Sequence, residues 1–157
     1  MQSLINNLKL DFQNINFVES SHFFWSPKNN QVNYVASELE APVGEWMILH
    51  ELGHALLEHK NYSLDIDLIS MEMGAWTKAQ ELAKEYNISI SDSHIQDCLD
   101  TYRNWLYERS ACPSCKTTNT QDKSYQFTCY NCGHIWQVSS AKLCRPYRLS
   151  IFSPLIT

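Results

Sequence analysis

The 157-residue sequence lacks any apolar run long enough to cross a bilayer, which takes about 20 residues. Its first residues, MQSLINNLKLDF, also lack the charged start, apolar stretch and small-residue cleavage site of a signal peptide. No internal repeat or low-complexity segment is visible. These absences predict a folded protein with no membrane partner and a cytoplasmic location.

Positive charge is scarce in the first two thirds of the chain. Residues 1–108 carry six Lys or Arg and sixteen Asp or Glu, whereas residues 109–157 carry six Lys or Arg and only Asp122. The net charges are therefore −10 and +5. This shift marks a domain boundary, and we expect a main domain over 1–108, a small module over 109–148 and an apolar tail over 149–157.

Residues 50–54 read His-Glu-Leu-Gly-His and carry most of the functional information. On a helix, His50 and His54 lie on one face, so both imidazoles can bind one tetrahedral Zn²⁺ while Glu51 lies beside the open coordination position. This arrangement is typical of zinc-dependent peptide hydrolases. The alternative is a buried helix whose two histidines only form hydrogen bonds.

Hydrophobic periodicity predicts the elements around this motif. A strand hairpin is expected within the first forty residues, with a turn at Ser26–Asn30. Apolar residues at helical spacing, with Pro42 in the first turn, predict a helix over about 42–59. Two further helices are expected over about 68–86, ending at Asn87, and from Ser91 onward. The predicted fold class is α+β.

A catalytic zinc site needs a third protein ligand. His59 follows His54 by five positions, about 140° around a continuous helix, so we expect it to point away from the metal as a solvated residue. Asp65 and Asp67 can reach the metal from a loop. Glu72 is the better candidate, because a helix packed against the first can present it beside both imidazoles, and its apolar neighbours would make an unpaired carboxylate costly.

The segments HELGHALLEH (50–59) and MEMGAWTKAQELAKEYNI (71–88) together resemble the ImmA/IrrE-type zinc metallopeptidases, or minigluzincins. The resemblance covers about residues 20–90 and implies a small zincin-like domain. It implies His50, His54 and Glu72 as zinc ligands, Glu51 as general base and acid, and an intracellular regulatory protein as substrate. The side chain that stabilises the oxyanion stays open among Tyr34, Tyr62, Tyr86 and His94.

The stretch FFWSPKNNQVNYV (23–35) resembles the strand that borders the active-site cleft in small gluzincins. If residues 31–35 form that rim, an extended protein substrate can pair with the free backbone edge of the strand. Val32, Asn33 and Tyr34 are therefore the expected substrate-binding residues.

Two C-x-x-C pairs, Cys112 with Cys115 and Cys129 with Cys132, are separated by thirteen residues. This spacing is typical of a zinc ribbon, in which four thiolates hold one structural Zn²⁺. Gly133 permits a positive-φ turn after the second pair. A redox-active C-x-x-C is the less favoured alternative, because no βαβ pattern surrounds either pair. The leftover Cys98 fits a small core residue. The protein is thus expected to bind two zinc ions.

The role of the ribbon has two interpretations. The excess of positive charge suits weak nucleic-acid binding, and a weaker resemblance to SprT-type proteins, which also join an HExxH helix to a zinc ribbon, agrees with it. The residues that suggest this role are Tyr125, Phe127, Tyr130, Trp136, Arg145 and Arg148. Docking of a protein partner, or stability alone, is favoured because no basic run exceeds one residue. The predicted function is a gluzincin-type zinc endopeptidase, and the alternative is a non-catalytic binding module on the same scaffold.

Overall fold

A computed structural model describes residues 3–139 and 148–152. Over these residues the chain is mixed α and β, with four α-helices and two small sheets. The helices are α1 (Leu4–Asp11), α2 (Pro42–Leu56), α3 (Asp65–Glu85) and α4 (Asp92–Ser110). The strands are β1 (Asn16–Glu19), β2 (Phe24–Ser26), β3 (Gln31–Tyr34), β4 (Gln121–Lys123), β5 (Gln126–Thr128), β6 (Ile135–Val138) and β7 (Arg148–Phe152). None of the helices in these ranges has the length and apolar character needed to span a membrane.

Two elements at the start of the chain differ from expectation. Helix α1 was not predicted; it buries Leu8 completely and ends in a bond from the Phe12 N–H to the Leu8 carbonyl. Strand β1 follows and pairs in parallel with β3. The predicted hairpin is confirmed, since β2 and β3 are antiparallel and joined by a turn in which Asn30 has φ 49°.

Helix α2 ends three residues before the predicted position. The Glu58 N–H donates to the Ala55 carbonyl and the His59 N–H to the His54 carbonyl, at 3.1 and 3.0 Å, while Glu58 has φ 53°. This is a Schellman motif, which satisfies the last helix carbonyls and reverses the chain direction. The reversal carries residue 59 back over the last turn of α2.

Helices α3 and α4 confirm the two predicted helical segments. Asn87, at φ 57°, ends the first as expected: the Ile88 N–H donates to the Ala83 carbonyl at 2.8 Å. Left-handed backbone at this position is tolerated by asparagine better than by most residues.

The chain divides into two compact units, one of residues 1–61 with 71–95 and one of residues 62–70 with 96–157. The first contains the three-stranded sheet, in the order β1-β3-β2, and the second contains the four-stranded sheet, in the order β4-β5-β6-β7. The second unit has its own core of Cys112, Phe127, Cys129, Trp136 and Val138. A domain boundary at residue 108 stays a prediction.

The expected apolar tail begins inside a strand. Residues 148–152 form β7, which pairs with β6 and leaves Leu149, Ile151 and Phe152 more than half exposed. Residues 153–157 and Cys144 lie outside the described residues.

Candidate metal centres

Helix α2 places the two motif histidines side by side in a buried position. The Nε2 atoms of His50 and His54 are 3.2 Å apart, and the residues are only 4% and 8% exposed. The four-residue spacing causes this pairing, because it returns both side chains to one face of the helix. Both ring nitrogens therefore point to a single position away from solvent.

Helix α3 supplies the third candidate ligand. The Glu72 Oε2 atom lies 3.2 Å from His50 Nε2 and 3.5 Å from His54 Nε2. Close packing of the two helices makes this possible: a Cβ on Gly53 would lie 2.5 Å from the backbone oxygen of Ala75, so only glycine fits there. The structure thus brings together the three residues expected to bind the metal.

The separations among these three atoms fit a zinc ion. Tetrahedral ligands about 2.05 Å from zinc are about 3.3 Å apart, and the observed distances are 3.2, 3.2 and 3.5 Å. The donor set also fits, because two neutral imidazoles and one buried carboxylate leave a negative charge that a divalent cation balances. These residues can therefore hold a zinc ion.

The protonation state of Glu72 suits a ligand. Burial alone raises the pKa of a carboxyl group, but the hydrogen bonds from His50 and His54 outweigh it and lower the pKa of Glu72 to about 2. Glu72 is therefore ionised at neutral pH. An ionised carboxylate is the form that binds a metal.

The environment of His50 differs from that of His54. The His50 ring stacks on Trp76, with centroids 4.2 Å apart and planes at 28°. Its Nδ1 atom is buried and has no hydrogen-bond partner within the described ranges 3–139 and 148–152. Packing against Trp76 therefore orients His50. The sequence marked Trp76 only as an apolar helix residue.

Glu51 is buried beside these ligands on α2, and a backbone group fixes one of its oxygens. The N–H of Trp25, on β2, donates to Glu51 Oε2 at 2.8 Å. This bond to Oε2 orients the carboxylate, and among residues 3–139 and 148–152 no hydrogen bond to Oε1 is present, so Oε1 can accept another proton. The sequence gives no signal of this contact, because it joins residues 26 positions apart.

The expectation that His59 is a solvated residue pointing away from the metal is wrong. His59 Nδ1 lies 2.8 Å from His54 Nδ1, and the His59 ring is half-buried. The error came from extending α2 to residue 59; the helix ends at Leu56, and the Schellman motif returns His59 toward His54. Burial and the neighbouring His54 lower the pKa of His59, so its ring is neutral at pH 7.

The two aspartates considered as alternative ligands have other partners. Asp65 accepts from Arg109 Nε at 2.7 Å, and both side chains are 1% exposed. Asp67 accepts from the Leu64 N–H at 3.0 Å. Both carboxylates therefore serve the local structure of the second unit.

The four candidates for an oxyanion-stabilising side chain differ in the contacts that their side chains make. The Tyr86 hydroxyl donates to Asp11 at 2.7 Å, and the Tyr34 hydroxyl accepts from Lys9 at 3.3 Å. Tyr62 belongs to the second unit. His94 contacts the ring of Trp76 at 5.6 Å, and Trp76 in turn stacks on His50. His94 is thus connected to the candidate ligand His50 through the ring of Trp76.

The strand expected to bind substrate has no free edge. Strand β3 is the central strand of its sheet, with β1 on one side and β2 on the other. Val32, Asn33 and Tyr34 are buried at 0%, 3% and 7% exposure. The premise for assigning substrate binding to these residues is therefore not met. The outer strands of this sheet are β1 and β2, and β2 carries the Trp25 N–H that donates to Glu51.

The four ribbon cysteines converge on a second centre. Cys112 Sγ lies 3.7 Å from Cys132 Sγ, and Cys115 Sγ lies 3.4 Å from Cys129 Sγ. Four sulfurs about 2.3 Å from a tetrahedral zinc ion are about 3.8 Å apart, so the cluster can hold a metal. Hydrogen bonds from Asn131 and Thr117 lower the pKa of Cys115 to about 5, whereas at Cys132 the backbone bond of His134 is outweighed by burial and the neighbouring thiols, which raise its pKa to about 11.

Both cysteine pairs adopt the same turn. The Lys116 N–H donates to the Cys112 carbonyl at 3.0 Å, and the Gly133 N–H to the Cys129 carbonyl at 2.8 Å. The donor residues have φ 66° and 71°. The positive φ expected at Gly133 is confirmed. Its counterpart at Lys116 was not predicted, because lysine rarely adopts this conformation.

Several residues that suggested nucleic-acid binding are unavailable for it. Phe127 and Trp136 are 1% and 0% exposed and stack on each other, so neither ring can stack on a base. Arg109 is buried against Asp65, which cancels one of the positive charges of this segment. Tyr125 and Tyr130 are exposed, and Arg145 lies outside the described residues.

No protein-family model, curated protein or solved structure matches this chain.

Proposed function

We propose that this protein is a zinc-dependent endopeptidase of gluzincin type with a zincin-like main domain. The observation that supports the proposal most is the convergence of two imidazoles from α2 and one carboxylate from α3, at 3.2 to 3.5 Å, with Glu51 next to His50 on α2. Three protein ligands leave a fourth position for water or substrate, which is the composition of a catalytic zinc site. A structural zinc site would be closed by a fourth protein ligand.

His50, His54 and Glu72 would hold the ion. A bound zinc ion would supply Lewis acidity, polarising a carbonyl oxygen and lowering the pKa of water toward ~7. Glu51 acts as the general base: Oε1 takes a proton from the attacking water and later delivers it to the leaving amine. The Trp25 N–H holds Oε2, so the carboxylate keeps one orientation through both proton transfers.

The four-cysteine cluster would hold a second, structural zinc ion. Its four thiolates satisfy a tetrahedral metal and leave no open position. Among the described residues, the core around the cysteines contains only three large apolar side chains, Phe127, Trp136 and Val138, so metal binding would contribute much of the stability of this part of the unit. Its role in the proposed enzyme is to stabilise this unit or to dock a protein partner.

The proposed substrate is an intracellular regulatory protein, in line with the resemblance to ImmA/IrrE-type peptidases. The test replaces Glu51 by Gln, which keeps the shape of the side chain but cannot take a proton. The purified wild type and Glu51→Gln proteins are incubated with a proteome-derived peptide library, and new N-termini are identified by mass spectrometry. General-base catalysis typically contributes 10²–10⁴-fold, so cleavage should fall by about that factor.

Glu45→Gln is the matched control, because it makes the same change in the first turn of α2. It should cleave at the wild-type rate, and both variants should retain the wild-type zinc content. Zinc-loaded wild type that produces no new N-termini would favour the non-catalytic binding module. Equal cleavage by wild type and Glu51→Gln would exclude Glu51 as the base.

A further inference from the structure

His59 makes three directional contacts next to the candidate zinc site. Its Nδ1 lies 2.8 Å from His54 Nδ1, its N–H donates to the His54 carbonyl, and its own carbonyl accepts from the Trp25 indole at 2.8 Å. We propose that His59 is a positioning residue that fixes the tautomer and ring orientation of the ligand His54. This inference rests on the proposed zinc site.

The tautomers follow from the geometry. His54 Nε2 faces His50 and Glu72; without a metal it can donate its proton to Glu72, but it must give up that proton and offer its lone pair when it binds the metal. The ring proton of a neutral His54 is then on Nδ1, where His59 Nδ1 is the acceptor. A second partner on the other ring nitrogen orients a histidine ligand and increases its basicity.

His59 is itself held in place. The bond from its N–H belongs to the Schellman motif, and the bond to its carbonyl comes from a side chain on β2. Its ring lies against Gly74 of α3: a Cβ added there would be 3.7 Å from His59 Cε1. The ring therefore keeps one position without the help of the metal.

His59 does not itself coordinate the same ion. Its Nδ1 lies at hydrogen-bond distance, 2.8 Å, from His54 Nδ1, which is not the nitrogen that faces His50 and Glu72. His59 thus leaves the fourth coordination position open.

The experiment compares the zinc affinity of the three-ligand site in four variants, by competition with a chromophoric chelator while the four-cysteine site stays loaded. His59→Phe keeps an aromatic ring but removes the acceptor, and should weaken zinc binding about 10–100-fold. His59→Asn restores an acceptor near the Nδ1 position and should recover most of the affinity. Trp25→Phe removes only the indole donor and should lose less than His59→Phe.

His22→Phe is the control, because His22 is exposed and bonds only to Ser21 in the described structure. It should bind zinc as the wild type does. One-bond ¹H–¹⁵N spectra of the imidazoles in the zinc-loaded proteins provide a second measurement: a slowly exchanging His54 Nδ1 proton should be present in wild type and His59→Asn and absent in His59→Phe.

Wild-type affinity in His59→Phe, or a larger loss in Trp25→Phe than in His59→Phe, would overturn the inference. Failure of catalysis alone would leave these affinities unchanged, whereas failure of the proposed zinc site gives a different result. In that case wild type and His50→Ala would bind the same number of zinc ions, because the three-ligand site would hold none.

Discussion

At the scale of single residues, the candidate ligands and the residue that supports them depend on different physical effects. The spacing of His50, Glu51 and His54 identifies them, because a helix turns i and i+4 to one face. Glu72 follows from the high cost of an unpaired carboxylate among apolar neighbours. His59 could not be placed, because its position depends on where α2 ends and on Glu58 adopting a left-handed conformation.

Glu72→Ala should lower the zinc affinity of the three-ligand site sharply. Two imidazoles alone leave the ion with half of its tetrahedral ligands and without a balancing negative charge. Asp67→Ala is the matched control, since this carboxylate lies on the same helix but bonds to the Leu64 N–H. Metal titration of both variants measures the difference. Loss of zinc in Asp67→Ala together with retention in Glu72→Ala would reject the assigned ligands.

At the scale of elements, periodicity predicted α2, α3 and α4, since each has a long apolar stripe. It did not reveal α1, which is short. Nor did it reveal that β3 is central, because strand pairing joins residues far apart in sequence: Asn16 pairs with Gln31 and Trp25 with Val32. A free backbone edge was therefore expected on β3, although the two outer strands are β1 and β2.

The same substitution should have opposite effects at two helix glycines. Gly53→Ala places a Cβ 2.5 Å from the Ala75 backbone oxygen, so α2 and α3 must separate, which moves Glu72 away from the imidazoles. Its free energy of unfolding and zinc affinity should both fall. At Gly74 the nearest atom would be at 3.4 Å, and Gly74→Ala should stabilise the protein by about 0.5–1 kcal/mol.

Thermal unfolding and zinc titration of the two variants test this contrast. Equal stability of Gly53→Ala and wild type would mean that the helices can separate without cost. Destabilisation by Gly74→Ala would mean that the Leu57 and His59 side chains cannot adjust to a methyl group.

At the scale of the whole molecule, the predicted pair of metal sites agrees with two clusters that can hold an ion. The order of residues along the chain did not predict which segments form one compact unit. Residues 62–70 group with residues 96–157, and Asp65 pairs with Arg109, 44 positions away. A shift in composition locates the cysteine segment but not the earlier residues that pack with it.

The two sites should release zinc in a fixed order. A weak chelator should first remove the ion bound by three ligands, because its fourth position is open to attack, and four thiolates should retain theirs longer. Elemental analysis should show two zinc ions per chain before treatment and one afterwards. The combined Cys112→Ser and Cys129→Ser variant should lose the ordered four-stranded sheet but keep one ion. Simultaneous release from both sites would contradict this difference between them.

The hydrogen bond to Glu51 comes from the main chain of Trp25 rather than from a side chain. Nineteen of the twenty amino acids carry that N–H, and only proline lacks it. A substitution of Trp25 by any residue except proline would remove the indole and its bond to the His59 carbonyl, but would keep the backbone N–H that donates to Glu51. A comparison of homologous sequences would then show different residues at position 25, although the backbone N–H would orient the Glu51 carboxylate in each of them.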